Sequence, residues 1–412
     1  MLSSLYSGIS GINAAGYSMS VIGNNIANAN TVGFKAGYTS FADILNQSLG
    51  GAGGGGLQVG RGVELTSVGT IFGQGSFETT TSGTDMAVEG DGFFVVADAT
   101  GAYYTRAGQF IIDNEGYLVN PNGFKLQGYG IDATGTVVTT LDDLKVTEIA
   151  SAPNQSTEFK VNTNLKGDEV VGTTYSTTVT VYDAIGAAIP LTLTFTKLAA
   201  NAWDYTPSVP AAMGSVLTTA GSISFDSNGD LVSIDGSASP FLDRTFTIVP
   251  VAGGATFDVL WDVWDGDAWM PTAGLTGYAA TSDTSFVYQD GYGSGSMHSL
   301  NIDQGGNVVG SFTNGHVRVM AQVVLADFIS PWGLRKAGRS LYGESIESGQ
   351  PTVGLPGTSG RGGVAAGSLE MSNVDMALEF VKMITTQRSY QANAKVITTS
   401  DDLLAELMNI KR

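Results

Sequence analysis

Apolar side chains recur with two different periods along this chain, and the change from one to the other divides it. Over residues 2–26, Leu2, Leu5, Ile9, Ile12, Gly16, Met19, Gly23 and Ile26 alternate at spacings of three and four. That rhythm predicts a helix whose seam meets another helix. The C-terminal segment repeats it through Met376, Phe380, Met383, Gln387, Tyr390, Ala394, Ile397, Asp401, Leu404 and Met408, with Val374, Leu378, Val381 and Ile384 on an adjacent face. "SNVD" (372–375) offers a Ser or Asn cap with an acid in the first turn, so one helix is predicted over 373–409. At 1.5 Å per residue it would be about 55 Å long. Such a helix, apolar on more than one face, has more to bury than a shorter partner can cover. Contacts with further copies of the chain are therefore expected. Two ordinary core helices of one globular domain are the plain alternative.

Between the ends the period is two. "STTVTVYD" (176–183), "PLTLTFTK" (190–197), "RTFTIVPV" (244–251) and "HVRVMAQVVLAD" (316–327) are rich in β-branched residues and mostly alternate, as strands do. A turn motif recurs among them: "IDNEGYLV" (112–119), "IDATGTVV" (131–138), "FDSNGDLV" (225–232), "IDQGGNVV" (302–309) and, more loosely, "YDAIGAAI" (182–189). Asp opening the turn and Gly three residues later predict a type I turn closing into a bulge, with the glycine left-handed. Asp226, Asn228 and Asp230 also match the first ligands of a calcium loop. Leu231 stands where that loop needs Gly, however, and Ser237 where it needs Glu, so a hairpin is expected. Asp262, Asp265 and Asp267 are read in the same way.

The "GGAGGGG" run (50–56) and "QPTVGLPGTSGRGGVAAGS" (350–368) predict flexible connections between helices and body. The fold class is therefore mixed and mainly β. Long N- and C-terminal α-helices are expected to form a coiled-coil terminal domain around a β-rich body. The expected limits are 1–35 with 370–412 for the helical domain and 36–70 for an extended Gly-rich connector.

Charge narrows the partners. The net charge is −19, which argues against nucleic acid or an anionic membrane surface. Residues 1–50 hold only Lys35 and Asp43, and residues 370–412 hold six acids and five bases. Nearly neutral ends can therefore pack against copies of themselves while an acidic body stays soluble. There is no cysteine, no secretory signal pattern at the N-terminus and no apolar run long enough to span a membrane. An exported protein of this kind would need a dedicated export machine; a cytoplasmic location is the alternative. With two histidines, no nucleophile elbow, no zinc motif and no phosphate loop, neither an enzyme nor a cofactor or metal is expected.

"NNIANANTVGFK" (24–35) sets Asn24, Asn25, Asn28 and Asn30 at the end of the first helix. Asn both donates and accepts, so these residues suit either exposed backbone groups at a helix end or bridges between chains.

"SGINAAGYSMSVIGNNIANANTVGFK" (10–35) closely resembles the N-terminal motif of the bacterial flagellar rod and hook axial proteins. "GTDMAVEGDGFFVV" (83–96) and "YTRAGQFIIDNEGYLVNPNGFKLQGY" (104–129) resemble that family's β-domain signature, and residues 372–412 its C-terminal helix. Residues 146–284 carry none of these motifs; the resemblance implies that they form an outer β-rich domain inserted in an inner, middle β-rich domain of 71–145 with 285–369, and an insert of that size is what distinguishes hook-type from the shorter rod-type members. The resemblance implies an extracellular structural subunit that self-assembles into a flexible helical tube and transmits torque from rod to filament. Implied partners are copies of itself, rod, hook cap and hook–filament junction proteins, and the flagellar export apparatus. The implied assembly residues are Leu2, Leu5, Ile9, Ile12, Met19, Asn24, Asn25, Ile26, Asn28 and Asn30, with Met376, Phe380, Met383, Gln387, Tyr390, Ala394, Ile397, Leu404 and Met408. A distal rod-type axial protein is one rival reading. The other is a secreted, oligomeric β-rich surface-binding protein.

Overall fold

The computed structural model describes residues 2–44, 47–49, 57–131, 136–146, 150–218, 220–238, 243–251, 253–263 and 274–410. Its secondary structure is mainly β, with one long helix at each end: α1 (Leu2–Ala27) and α2 (Met376–Ile410). The two pack antiparallel. Ser4 Oγ lies 3.3 Å from Ser400 Oγ, Gly8 and Gly11 lie against Ile397 and Asn393, and Asn25 reaches Glu379. The cap of α2 is Asp375, whose carboxylate accepts the Ala377 and Leu378 N–H groups at 2.9 and 3.1 Å. Neither Ser372 nor Asn373 fills that place. Asn373 is occupied elsewhere: its side chain accepts the Ala36 N–H and donates to the Ile71 and Gly73 carbonyls.

Residues 36–70 differ from the extended connector expected of them. Gly37–Asp43 pairs antiparallel with Val63–Thr70, from Gly37 opposite Thr70 to Asp43 opposite Val63, with a bulge at Ser40/Phe41. Gln47–Leu49 and Leu57–Val59 continue the pairing. The reason is local: two alternating runs satisfy each other's backbone groups, which a solvated connector would leave to water. The ribbon is fastened to α1, since Ser10 Oγ accepts the Val63 N–H at 3.2 Å and Ser18 Oγ lies 3.1 Å from Thr39 Oγ1. The glycine run 50–56 lies outside the described residues.

Two compact units emerge: Met1–Thr147 with Ser299–Gly310 and Arg318–Arg412, and Glu148–His298 with Ser311–Val317. Helices, ribbon and inner β-strands thus share one unit. The boundary expected at 284 is crossed by strand Asp283–Gln289, which pairs antiparallel with Glu158–Asn164. In the first unit, strand Phe93–Asp98 buries Phe94 and Val96 in one core and Phe93 and Val95 in another. A strand covered on both faces reads as an unbroken apolar run, here "FFVV". The second unit holds two six-stranded sheets that share one core. Strand Ala188–Ala199 sends Ile189, Leu191, Leu193 and Phe195 inward with a period of two, against Trp203, Tyr205 and Trp261.

The recurrent turn has the expected geometry wherever it is described. At Asp113, Asp183, Asp226 and Asp303 the glycine three residues on donates its N–H to the Asp carbonyl, and its φ lies between 74° and 88°. Each carboxylate also accepts the N–H groups two and four residues on, as Asp113 does from Glu115 and Tyr117. One oxygen of each carboxylate, Oδ1, is thus engaged in closing its own turn. Asn120 builds the same turn with Gly123, a copy that an Asp-based pattern passes over. Positions 132–135 of the 131–138 copy, and Asp265 and Asp267, lie outside the described residues. Asp262 pairs with Lys160 at 2.7 Å.

Candidate assembly interface

The side of α1 that meets α2 and the ribbon is made of small residues. Ser4, Gly8, Gly11, Ala15, Ser18, Ile22 and Asn25 keep the three-and-four rhythm, with Gly8, Ala15, Ile22 and Asn25 buried. The larger apolar set is offset from it by one position. Leu5, Ile12, Met19 and Ile26 are half-buried, Ile9 is exposed, and the side chain of Leu2 lies outside the described residues. The heptad is real, but its phase within one chain is set by the residues that let two backbones approach closely. A Cβ on Gly11 would stand 2.6 Å from the Asn393 side chain.

On α2 the contact side runs through Glu379, Thr386, Asn393 and Ser400, with Met383, Ile397 and Leu404 half-buried beside it. Ala394 is half-buried as well, and Gln387 is exposed. Met376, Phe380, Tyr390 and Met408 are exposed, the last 71% so, together with Leu378, Val381, Ile384 and Leu403. Tyr6 and Tyr17 add to this surface from α1. An apolar array of this size on two helices that already pack against each other is what a further partner would cover.

The asparagine cluster divides its work. Asn25, 1% exposed, donates to the Gly37 carbonyl and accepts the Gly37 N–H, both at 2.8 Å, and donates to Glu379 Oε2 at 3.2 Å. It clips helix to ribbon and to α2 inside one chain, so it is removed from the inter-chain surface. Its side chain fits because both amide groups are needed there. Asn28 caps the helix end, donating to the Asn24 carbonyl at 2.9 Å. Asn24 and Asn30 are exposed.

The base of the helical pair is held by a charge cluster that sequence spacing does not disclose. Lys35 Nζ donates to Glu370 Oε1 at 2.6 Å and to the Gly73 carbonyl at 2.9 Å. Arg106 reaches Glu370 Oε2 at 3.4 Å and sits over the Phe93 ring at 5.1 Å. Burial pulls the Lys35 ammonium below its ordinary pKa, although Glu370 opposes the shift; Arg106 is lowered for the same reason. Gly33, at φ 67°, closes the approach: a Cβ there would stand 2.5 Å from Ala107 N. Among the described residues no three His, Cys, Asp or Glu side chains form a metal cluster, and no helix is long and apolar enough to cross a membrane.

Comparison with known proteins identifies this arrangement. The family profile "Flagella basal body rod protein" matches residues 5–35, "Flagellar hook protein FlgE/F/G D1 domain" residues 87–164, and "Flagellar basal body rod FlgEFG protein C-terminal" residues 365–410. The stretch that carries none of the flanking motifs is matched by "Flagellar basal body protein FlaE D2 domain" over 154–292. The flagellar hook protein FlgE of Borreliella burgdorferi is 36% identical over 100% of both chains. That of Escherichia coli K12 is 33% identical over 98% of both. A crystal structure of Helicobacter pylori flagellar hook protein FlgE2 covers 70% of this chain and 98% of its own at 15% identity and TM-score 0.49, too distant to add weight. The chain belongs to the flagellar hook protein FlgE family, the structural subunits of the bacterial flagellar hook.

Proposed function

We propose that this subunit polymerises through its two terminal helices into a flexible tube that acts as a universal joint between rod and filament. One observation carries the reading: after α1 and α2 have packed on each other through small residues, Ile9, Tyr17, Phe380, Val381 and Met408 remain exposed. Copies related by a non-closing rotation would cover these side chains and propagate a helix. On this reading 1–35 with 370–412 form a coiled-coil inner wall, 71–145 with 285–369 a middle layer, and 146–284 an inserted outer layer. The acidic outer layer would make smaller, more polar contacts that shift as the tube bends. Rod, hook-cap and junction proteins and the export apparatus are the further partners of this reading. It needs no catalytic residue and no cofactor.

Electron microscopy of the full chain at high protein concentration tests it, beside Ile9→Asp and Phe380→Asp. Tubes from the unaltered chain and discrete particles from the variants are expected. Discrete particles from all three would overturn the reading in favour of an oligomeric β-rich binding protein.

A further inference from the structure

Among the described residues, strand Arg335–Gly338 forms the edge of its sheet and pairs only with Leu341–Gly343, with Arg335 opposite Gly343 and Gly338 opposite Leu341. All four of its residues are exposed. Arg335, Lys336 and Arg339 make no ion pair among the described residues. Glu344 and Glu347 stand at the base of the hairpin, so its tip is the positive end. At that tip Arg339 and Ser340 have φ of 54° and 58°, a two-residue turn for which Asn-Gly is the unstrained choice. A cationic side chain is held there at a conformational cost.

The hairpin adjoins an unusual apolar surface. The turn Pro331–Gly333 leads into it, and Ser345 Oγ donates to the Gly333 carbonyl at 2.6 Å, which lays the loop after the hairpin against that turn. There Ile329 is 91%, Trp332 68% and Ile346 102% exposed. Trp and Arg on one surface are the residue types that dominate protein–protein contacts.

We propose that this basic hairpin, together with the Trp332 turn beside it, docks on the acidic segment 148–298 of a neighbouring copy. Charge selects the occupant. The chain is at −19, and that segment holds sixteen Asp and Glu side chains against four Lys and Arg. A second copy therefore offers the complementary field, while the tryptophan and isoleucines supply the desolvated centre. A bland role also exists for charges on an edge strand, since they prevent pairing with other edges. That role is indifferent to sign and leaves Trp332 uncovered. The proposal rests on polymerisation as read above.

The test uses tubes grown from mixed light- and heavy-nitrogen full-length chains carrying Arg339→p-benzoylphenylalanine. Irradiation should give mixed-isotope cross-links into peptides of 148–298. Cross-links within one copy only, or only to residues outside 148–298, would overturn the proposal. In parallel, Arg335→Glu with Lys336→Glu and Arg339→Glu should raise the critical concentration for assembly about tenfold, with the gap closing as salt is added. An unchanged critical concentration in a variant that melts like the unaltered chain would also overturn it. Failure of the unaltered chain to form tubes overturns the polymer reading and this inference with it. Tubes with the wrong cross-links overturn this inference alone.

Discussion

Lys35 and Glu370, 335 positions apart, face each other at 2.6 Å with both side chains fully buried. The pair joins the end of the α1 segment to the strand that leads back to α2, and Arg106 brings in the β-body. A buried pair is weak evidence for stability in itself, because desolvation offsets most of the attraction. Its geometry, however, makes each member dependent on the others.

Removing one partner should therefore cost more than the pair contributes. Glu370→Gln leaves Lys35 and Arg106 buried without a counter-charge, and Lys35→Met leaves Glu370 with the Gly75 N–H at 2.9 Å and, as its one counter-charge, the longer Arg106 contact. Each single change should cost about 3–5 kcal/mol, and the double change well under the sum. Urea melts of the four proteins give the coupling directly. Additive costs would mean that the three groups do not act as a cluster.

Asn25 should tolerate no substitute. Asn25→Asp loses the donors to Gly37 and sets a second carboxylate where the amide met Glu379 at 3.2 Å. A cost of about 2–4 kcal/mol is expected, and Asn25→Ala should cost less, about 1–3 kcal/mol. Melting curves in which Asn25→Asp is the milder change would show that Glu379 moves away from this contact.

How much of this was legible depended on whether a feature is written in neighbouring residues. The helices and the Asp-x-x-Gly turns were, since period and turn chemistry are local. The phase of the α1 seam was not: Gly8, Gly11, Ala15 and Ser18 carry no hydrophobic signal, and their use lies in what they allow to approach. The Asn cluster suggested a helix end, but only the fold decides that Asn25 turns inward while Asn24 stays in solvent. Lys35, Arg106 and Glu370 look like surface charges until three distant segments meet. The ribbon over 36–70 was obscured by the glycine run within it.

The turns should depend on their capping oxygen and not on charge. Asp303→Asn keeps the acceptor for the Gly305 and Asn307 N–H groups and should change stability by under about 0.5 kcal/mol, whereas Asp303→Ala should cost about 1 kcal/mol. Added calcium should leave both melting temperatures unchanged. A calcium-dependent rise in the parent protein, lost in Asp303→Asn, would restore the ligand reading of these loops.

Alkaline pH should weaken the fold. Burial, aided by the Glu344 charge, pushes the Tyr104 hydroxyl up to about 12 from 10.0, and burial raises Tyr205 and Tyr342 as well. A group with a raised folded pKa contributes stability that is full below its unfolded value and is lost as pH rises through the folded one. The loss should therefore begin near 10 and, for Tyr104, run to about 12. Lys35 works the other way, its lowered pKa making its contribution more favourable as pH approaches 10.5. Tyrosinate absorbance should show a late-titrating class, and Tyr104→Phe should flatten the alkaline fall in stability. An unchanged fall would assign it to other groups.

The two faces of α1 should separate folding from assembly. Ala15 lies buried in the seam, so Ala15→Leu should push the helix pair apart and cost about 1–3 kcal/mol in the monomer. Ile9, on the offset apolar set, is exposed, and Ile9→Asp should change monomer stability by less than about 0.5 kcal/mol. In a tube the order reverses: a carboxylate buried without a partner between copies would raise the critical concentration by several orders of magnitude, about 10³-fold for a 4 kcal/mol penalty. Calorimetry on the monomer and sedimentation of the polymer read the two effects independently. If Ile9→Asp lowered the melting temperature as Ala15→Leu does, the large apolar set would belong to the chain's own core, and the terminal helices would have nothing left to offer another copy.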